Sequence, residues 1–214
     1  MIDQNTTAAK IATLNYLYRN PITSYLHRAG LRTTVKMFSL KNAKIIDLGS
    51  GRGDIFKYLR GYDITGLEID EKLIAHARQN FPDIPLILGS IYDIPFPNNT
   101  FDVATATGTL EHLKNLPQAL LEIKRILKPN GELIVLIPTE NFLYKIGRKL
   151  TVAKYIEKKF NVDYDLLLKE EHVNTCKEVL KQLSNFFTLD KTIGVPCILP
   201  CKNINIFLIV RCKK

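Results

Sequence analysis

Short apolar runs alternate with helix-like segments between residues 43 and 137, and this alternation restricts the fold more than any other feature of the sequence. Two segments, Glu71–Gln79 and Pro117–Leu127, have helical periodicity. The runs with the length and apolar content of buried strands are Ala43–Leu48, Ile64–Ile69, Pro85–Leu88, Phe101–Ala106 and Glu132–Ile137. Strands that alternate with helices form right-handed β-α-β units, so the sequence predicts an α/β fold with a mostly parallel sheet covered on both faces.

The chain on either side of this region shows other patterns. Two helices are predicted near its start, over 6–19 and 21–40, and Asn20 suits the N-cap of the second. Near its end, a helix at Lys177–Leu183 precedes two strand-like runs, Phe187–Ile193 and Ile204–Arg211. Their short connection favours a hairpin, which predicts an antiparallel strand near the C-terminus.

The composition is typical of a single globular domain. Of the 214 residues, 46% are hydrophobic and 24% are charged, and no apolar run approaches the roughly 18–20 residues that a membrane span requires. The first residues lack the basic and apolar regions of a secretory signal. The four cysteines form no C-x-x-C pair, which favours reduced thiols in a cytoplasmic protein.

Positive charge is concentrated in the flanks of the chain. The net charge is +9, yet residues 45–140 hold 9 Lys and Arg against 13 Asp and Glu. Basic flanks favour either a solvated surface or contact with an anionic partner such as RNA, a phosphorylated molecule or lipid headgroups. The acidic middle argues against a protein that binds nucleic acid over its whole surface.

The strongest chemical signal is the glycine-rich turn Asp47-Leu48-Gly49-Ser50-Gly51-Arg52-Gly53, which follows the first strand. Glycine allows positive φ and lets a ligand approach the backbone without meeting a Cβ. The turn is predicted to open a helix, whose free N–H groups attract a carboxylate or phosphate. Glu68 ends the second strand, where its carboxylate can accept the hydroxyls of a ribose. Together these residues predict an adenosine-type ligand at the carboxyl edge of the sheet.

The glycine spacing differs from that of a dinucleotide site. The pattern is G-x-G-x-G, and Asp54 stands where G-x-G-x-x-G has its third glycine, so its carboxylate would repel a pyrophosphate. Asp47, just before the turn, also suits a cationic ligand. S-adenosylmethionine satisfies both conditions, because it carries a ribose, a sulfonium and an ammonium group but no phosphate.

The sequence resembles the class I S-adenosylmethionine-dependent methyltransferases, in particular their small-molecule branch known as type 11. The motifs that carry the resemblance are Ile45–Gly53, Gly66–Asp70, Asp93–Pro97, Phe101–Val103, Leu110–His112 and Ile126–Gly131, and Glu171–Thr175 resembles the stretch before the last helix of this branch. The resemblance implies a Rossmann-like, doubly wound, seven-stranded and mostly parallel sheet. One antiparallel strand near the C-terminus, N-terminal helices and a helical insert complete the expected fold.

The resemblance also implies how the cofactor would be held. Asp47 would orient the ammonium group of S-adenosylmethionine. Glu68 would hold the ribose hydroxyls, and Ile69 would pack on the adenine. The backbone that would line the methionine and ribose is that of Gly49, Ser50 and Gly51.

The remaining implied contacts lie further along the chain. Ser90 and Ile91 would lie at the adenine edge and Thr107 near the sulfonium. His112 is the candidate catalytic base, because its ordinary pKa suits proton removal near neutrality, although a structural histidine is an equal alternative. Quinone-pathway O-methyltransferases carry E-x-x-E-H here and are thought to bind a metal through it. Gly108 replaces the first acidic residue of that pattern, so no metal site is predicted.

The segment 141–160 follows the fifth strand and is both amphipathic and basic. Its apolar residues recur at helical steps and are Phe142, Ile146, Leu150, Ala153, Ile156 and Phe160. Three interpretations stay open, in order of preference: a lid over the active site, an amphipathic segment on an anionic membrane, and a surface that contacts RNA.

The sequence thus predicts one domain over 1–214. Its parts are an N-terminal helical cap (1–40), a cofactor-binding core (41–140), a helical insert or lid (141–175), and a last helix with two strands (176–214). The predicted function is S-adenosylmethionine-dependent methylation of a small-molecule or lipid-like acceptor. The alternatives are an RNA methyltransferase and a catalytically silent S-adenosylmethionine-binding protein.

Overall fold

A seven-stranded sheet forms the centre of the computed structural model, which describes residues 19–214. Its strands are β1 (Lys44–Leu48), β2 (Asp63–Glu68), β3 (Leu86–Leu88), β4 (Phe101–Thr107), β5 (Leu127–Pro138), β6 (Thr188–Val195) and β7 (Phe207–Lys213). The helices are α1 (Pro21–Lys36), α2 (Glu71–Asn80), α3 (Leu116–Ile126), α4 (Phe142–Arg148), α5 (Lys154–Phe160), α6 (Tyr164–Glu171) and α7 (Cys176–Phe186). The helix predicted over 6–19 lies, except for its last residue, outside the described residues.

The strand order is β3-β2-β1-β4-β5-β7-β6. Strand β1 pairs in parallel with both β2 and β4, whereas β7 runs antiparallel to both β5 and β6. The chain leaves β1 toward β2 and β3 and then returns to place β4 on the other side of β1. In open α/β sheets, ligands bind at the carboxyl ends of the strands beside such a switch point. The predicted Rossmann-like sheet with one antiparallel strand is confirmed.

Short polar side chains start the helices where the sequence predicts them. Asn20 caps α1, and Asp70 caps α2 by accepting the N–H of Lys72 at 2.8 Å. Thr175 and Glu178 form a reciprocal capping box at the start of α7. These capping residues determine where the helices begin, whereas the packing of the helices depends on apolar contacts with the sheet.

Alternate residues of the central strands face two apolar layers. Ile46 and Leu48 of β1 pack with residues of α3 and α7, whereas Ile45 packs with residues of α1 and α2 on the opposite face. This alternation follows from the two-residue period of a strand. The core is thus filled on both faces, which leaves the ends of the strands as the place for a ligand.

Two elements differ from the sequence-based prediction. The glycine turn leads into a helix, as predicted, but this helix is a short 3₁₀ helix over Asp54–Tyr58. Strand β5 begins at Leu127 instead of Glu132, and its pairing with β4 is irregular between these two residues. Leu127 pairs with Phe101 and Glu132 with Val103 across this irregularity.

The predicted apolar face of the insert is only partly correct. A π-helical turn at Lys149–Ala153 separates α4 from α5 and changes which residues share a face. Ile156 is buried as predicted, whereas Phe142 and Leu150 are 75% and 71% exposed. The residues of the insert that are buried in their place are Tyr144 and Val152.

Within residues 19–214, no helix has both the length and the hydrophobicity needed to cross a bilayer.

The four cysteines are free thiols, with Cys176 and Cys212 buried and the other two exposed. Burial raises the pKa of Cys176 to about 11 and that of Cys212 to about 12, so both remain protonated near neutral pH.

Candidate functional site

A cavity of about 450 Å³ opens at the carboxyl edge of the sheet, where the strands β1, β2 and β4 end. A cavity of this size accommodates a ligand as large as a nucleoside cofactor. The residues that the sequence predicts for the site all line it, namely Asp47, Gly49, Ser50, Gly51, Glu68, Ile69, Ser90, Ile91, Thr107 and His112. Residues from distant parts of the chain therefore meet in one place.

The glycine turn is held against the end of β2. The N–H groups of Gly49 and Ser50 both donate to the Leu67 carbonyl, at 2.8 and 2.9 Å. Gly49 and Gly51 have positive φ. A Cβ on Gly51 would meet nothing nearer than 4.0 Å, so the space beside this residue is open, whereas a Cβ on Gly49 would collide with Thr109. The turn thus presents bare backbone to the cavity, as a close-fitting ligand requires.

Glu68 is buried at the end of β2 and binds three backbone N–H groups. Its Oε2 accepts the N–H of Gly51 at 2.7 Å, and its Oε1 accepts those of Ile69 and Asp70, each at 2.9 Å. An ionised carboxylate has about four lone-pair positions, so Oε2 can still accept a hydroxyl from a ligand. The contact joins the glycine turn directly to the acidic end of the second strand.

Asp47 is buried, with 1% of its surface exposed, and its Oδ1 accepts the hydroxyl of Thr105 at 2.6 Å. The pKa of Asp47 is raised to about 7, mainly by burial, with a smaller contribution from the charges of Glu68 and Asp54 and against the Thr105 hydrogen bond, which lowers it. A cationic group nearby would favour the charged carboxylate and release its proton. Asp47 therefore suits an ammonium group.

The other side of the cavity combines an exposed apolar side chain with a fixed turn. Ile69 is 72% exposed and so is free to cover a planar ring. Ser90 Oγ accepts the N–H of Tyr92 at 3.2 Å, which fixes the turn that carries Ile91.

Two lining residues that sequence reasoning missed, His27 and Leu31, come from α1. Their spacing of four residues on one helix face is the signal that could have found them.

His112 lies on the cavity wall, in the short 3₁₀ turn after β4. Its Nδ1 is 2.8 Å from the Glu171 carbonyl oxygen, and its ring packs edge-on against His172 with 4.9 Å between centroids. Because a carbonyl only accepts hydrogen bonds, Nδ1 carries the proton and Nε2 keeps its lone pair. Asn174 holds the two segments together, since its side chain donates to the Leu113 carbonyl at 2.7 Å.

Beside His112 lies a group of polar side chains that the sequence did not predict, and one of them, Glu111, is buried. Glu111 is 2% exposed, and among residues 19–214 nothing hydrogen-bonds its Oε2. Burial raises the pKa of Glu111 to about 7, and the nearby His112 opposes this rise. His172 Nδ1 lies 2.5 Å from Glu140 Oε1. The contact between His112 and His172 could not be foreseen, because no local pattern brings the turn after β4 to the segment after α6.

A mostly parallel sheet with a glycine turn, an acidic second-strand end and a cavity at the switch point is the arrangement of a Rossmann-like fold. Residues 46–135 match the family model described as a methyltransferase domain. This match covers less than half of the chain, and it agrees with the methyltransferase domain that the resemblance implies.

Two curated relatives show the same domain. An uncharacterized methyltransferase of Schizosaccharomyces pombe is 32% identical over 136 residues, which are 53% of this chain and 49% of that protein. The ubiquinone/menaquinone biosynthesis C-methyltransferase UbiE of Paraburkholderia phytofirmans is 31% identical over 156 residues, which are 63% of each chain. The match thus spans about half to 63% of the length of these relatives.

Solved structures extend the likeness to nearly the whole fold. A TehB-like S-adenosylmethionine-dependent methyltransferase of Corynebacterium glutamicum has a TM-score of 0.65 at 20% identity, over 96% of this chain and all of that one (100%). A possible histamine N-methyltransferase of Thermotoga maritima has a TM-score of 0.64 at 21% identity, over 92% of this chain and 98% of that one. At these identities the likeness concerns the fold alone.

Proposed function

We propose that this protein is an S-adenosylmethionine-dependent methyltransferase that acts on a small, lipid-like acceptor. The observation that carries the proposal is the contact between Gly51 and Glu68, at 2.7 Å, on the wall of the edge cavity. It places open backbone and a buried carboxylate side by side, as the ribose of an adenosyl ligand requires. The open space beside Gly51 and the buried acid Asp47 fit the rest of that ligand.

The chain's own residues would bind and orient the two reactants. When bound, S-adenosylmethionine supplies a methyl group on a positively charged sulfur. Asp47 would hold the ammonium end and Glu68 the ribose hydroxyls, and Thr107 would lie near the sulfonium. Fixing both reactants in near-attack geometry contributes roughly 7–11 kcal/mol to catalysis of such a transfer. The protein's main task is therefore alignment.

His112 is the residue that we place beside the acceptor. Its Nδ1–H donates to the Glu171 carbonyl, so its Nε2 can accept the proton of the nucleophile. The buried segment around Glu111 and Asn174 keeps the imidazole in this orientation. An acceptor that must lose a proton fits this arrangement.

The cofactor proposal is tested with the conservative variant Glu68→Gln. It keeps the size of the side chain but removes the charge that accepts the ribose hydroxyls, so the affinity for S-adenosylmethionine should fall about 10- to 100-fold, since such bonds contribute about 1.5–3 kcal/mol. Glu71→Gln, an exposed position three residues further on, is the matched control and should bind normally. Calorimetry that finds equal affinities for Glu68→Gln and the wild type would remove Glu68 from the site.

An exposed apolar surface supports a lipid-like acceptor. On α4 and the π turn, Phe142, Leu143 and Leu150 are 75%, 51% and 71% exposed. The Asn141 side chain donates to the Lys202 carbonyl at 2.6 Å and so brings the loop 196–206 beside α4. The large apolar residues exposed on this loop are Ile198, Leu199 and Ile204. We call these six residues the apolar patch.

The segments that carry the apolar patch are rich in lysine. The exposed lysines of residues 141–160 and of the loop are Lys145, Lys149, Lys154, Lys158, Lys159 and Lys202. Apolar side chains framed by lysines are the pattern that binds an anionic bilayer surface. The patch begins two residues after Glu140, whose carboxylate contacts His172 beside the cavity wall. An acceptor drawn from a bilayer would thus meet the protein near the site.

Vesicle co-sedimentation tests this surface. The protein should bind vesicles that contain phosphatidylglycerol more strongly than vesicles of phosphatidylcholine alone. The double variant Phe142→Ser with Leu150→Ser should bind at least about 10-fold more weakly, because two large apolar side chains no longer enter the interface. The control Leu121→Ser changes a 57% exposed leucine on α3 and should leave binding unchanged. Equal binding by the double variant, or strong salt-dependent binding to RNA instead, would contradict the lipid assignment.

A further inference from the structure

Glu111, His112 and His172 place their donor atoms within 4.8 Å of one another. Two imidazoles and a carboxylate around one point form a donor set typical of a first-row transition metal. Around a single Zn²⁺, with bonds of about 2.0–2.2 Å, donor atoms lie roughly 3–4 Å apart. Small side-chain rotations would bring the three donor atoms from within 4.8 Å of one another to this distance.

The surroundings of these side chains are those of metal ligands. His112 Nδ1 is paired with a backbone carbonyl and His172 Nδ1 with the Glu140 carboxylate, at 2.8 and 2.5 Å. Each ring therefore has its Nε2 left to offer. Metal-binding histidines nearly always donate their other N–H to a carbonyl or carboxylate, which fixes the tautomer and the orientation of the ring. Both rings meet this condition.

Two further features point to a ligand. Glu111 Oε2 is buried, and no group among the described residues hydrogen-bonds it, which is costly unless something else binds the atom. Glu140 has a φ of 51°, a left-handed conformation that is unfavourable for a non-glycine residue. The backbone is thus strained at the residue that positions His172, as is common at functional sites.

We propose that Glu111, His112 and His172 bind one divalent transition-metal ion, with Glu140 as the residue that positions His172. Three protein ligands leave coordination positions open, and one of the three, His112, lines the cavity. An open position beside the cavity would take an oxygen atom of the acceptor. The absence of an E-x-x-E-H pattern predicted no metal, but His172 provides a third ligand from another part of the chain.

This inference rests on the proposed function for its choice of acceptor, and it changes the role of His112. In the metal-bound protein the imidazole would be a ligand and not the base, so the proton of the acceptor would pass to solvent water instead of to Nε2. A metal-bound hydroxyl loses its proton far more readily than a free one, so the acceptor class becomes a hydroxyl compound. Magnesium and calcium are not expected, because they prefer oxygen ligands throughout.

Metal titration of the untagged full-length chain tests the proposal. After treatment with a chelator, the protein should bind one Zn²⁺ per chain by calorimetry, and Co²⁺ should give the absorption bands of a site with nitrogen ligands. His172→Gln and Glu111→Gln should each weaken Zn²⁺ binding at least about 30-fold. Glu140→Gln should weaken it about 10- to 100-fold, as outer partners of metal-bound histidines do.

The control is His76→Gln, which removes a histidine on α2 that does not line the cavity and should bind Zn²⁺ like the wild type. S-adenosylmethionine affinity of His172→Gln, measured without metal, should equal that of the wild type. No stoichiometric Zn²⁺ binding, or equal binding by His172→Gln and Glu111→Gln and the wild type, would overturn the metal site. If S-adenosylmethionine still binds in that case, the proposed function stands without it; if it does not bind, the proposed function fails separately.

Discussion

Individual carboxylic acids in this protein are held where their charge is poorly solvated. Burial raises the pKa of both Asp47 and Glu111 to about 7, from ordinary values of 3.8 and 4.5. Such positions lower stability when the groups ionise, and natural proteins keep them where binding or chemistry needs them. The place of Asp47 and Glu68 in the motifs predicted that both would lie at the edge cavity, and both line it. The environment that tunes Asp47 could not be predicted in this way, because Thr105 comes from a different strand.

The raised pKa of Asp47 makes stability depend on pH in a defined direction. The unfolded chain loses this proton near pH 4 and the folded protein only near pH 7, so the free energy of unfolding falls as pH rises between these values. Glu111 acts in the same direction. In Asp47→Asn the free energy of unfolding should decrease less with rising pH, because asparagine has no proton to lose. Relative to the wild type, the variant should therefore be more stable at pH 8 than it is at pH 4.

Urea unfolding at several pH values measures this difference. Asp83→Asn, at an exposed position, serves as the control and should follow the wild-type profile. A profile of Asp47→Asn parallel to the wild type would show that Asp47 keeps an ordinary pKa. The same variant should also bind S-adenosylmethionine more weakly, since the partner of the ammonium group is lost.

Among the helices, strands and turns, the sequence predicted those features that depend only on residues close together in the chain. Caps such as Asn20 and Asp70 and the glycine turn were predicted because they need only neighbouring residues. The π turn of the insert was not, because it depends on packing across the insert. Arg148 lies over the rings of both Tyr144 and Tyr164, at 5.3 and 5.2 Å, and hydrogen-bonds both hydroxyls. That contact turns Tyr144 inward, against the simple helical period.

The shifted face of the insert has a measurable consequence for stability. Val152 is fully buried among Ile156, Tyr164 and Leu167, whereas Leu150 is 71% exposed. Val152→Ala should therefore lower the free energy of unfolding by about 2 kcal/mol through lost burial and a small cavity. Leu150→Ala should change it by less than about 0.5 kcal/mol. Chemical denaturation measures the free energy of unfolding of both variants. A larger loss for Leu150→Ala than for Val152→Ala would contradict the shifted face and favour the regular helical face predicted from the sequence.

At the scale of the whole molecule, one charged network joins segments from both ends of the described chain. Glu132 of β5 is 1% exposed and accepts the N–H of Ser39, in the segment after α1, at 3.1 Å. Arg211 of β7 lies 3.8 Å from Glu132 and binds Asp190 of β6, and its guanidinium also donates to the Met37 carbonyl at 2.8 Å. No single motif encodes this network, because its members are brought together only by the complete sheet.

Removing the cation of this network should destabilise the protein more than removing a surface cation. Arg211→Met leaves Glu132 buried without its ion pair, which should cost about 3 kcal/mol. Lys213→Met, which breaks only the contact of a 49% exposed lysine with Asp190, should cost less than about 1 kcal/mol. Adding Glu132→Gln to Arg211→Met should recover part of the loss. Urea unfolding of the four proteins of this cycle measures the coupling, and strict additivity would show that the two groups act independently.

The edge cavity is assembled from α1, the ends of β1, β2 and β4, and the turns that follow them, so no short stretch of the chain possesses it alone. A compound that binds there must therefore favour the folded state over every unfolded one, and saturation at 100 times its dissociation constant adds about 2.7 kcal/mol. Heating the protein with panels of hydroxylated and lipid-like compounds then becomes a search for the acceptor that requires no assay of methyl transfer. If a compound raises the melting temperature of the wild type but not that of a variant whose cavity is filled by a larger side chain, that compound indicates the chemical class of the acceptor.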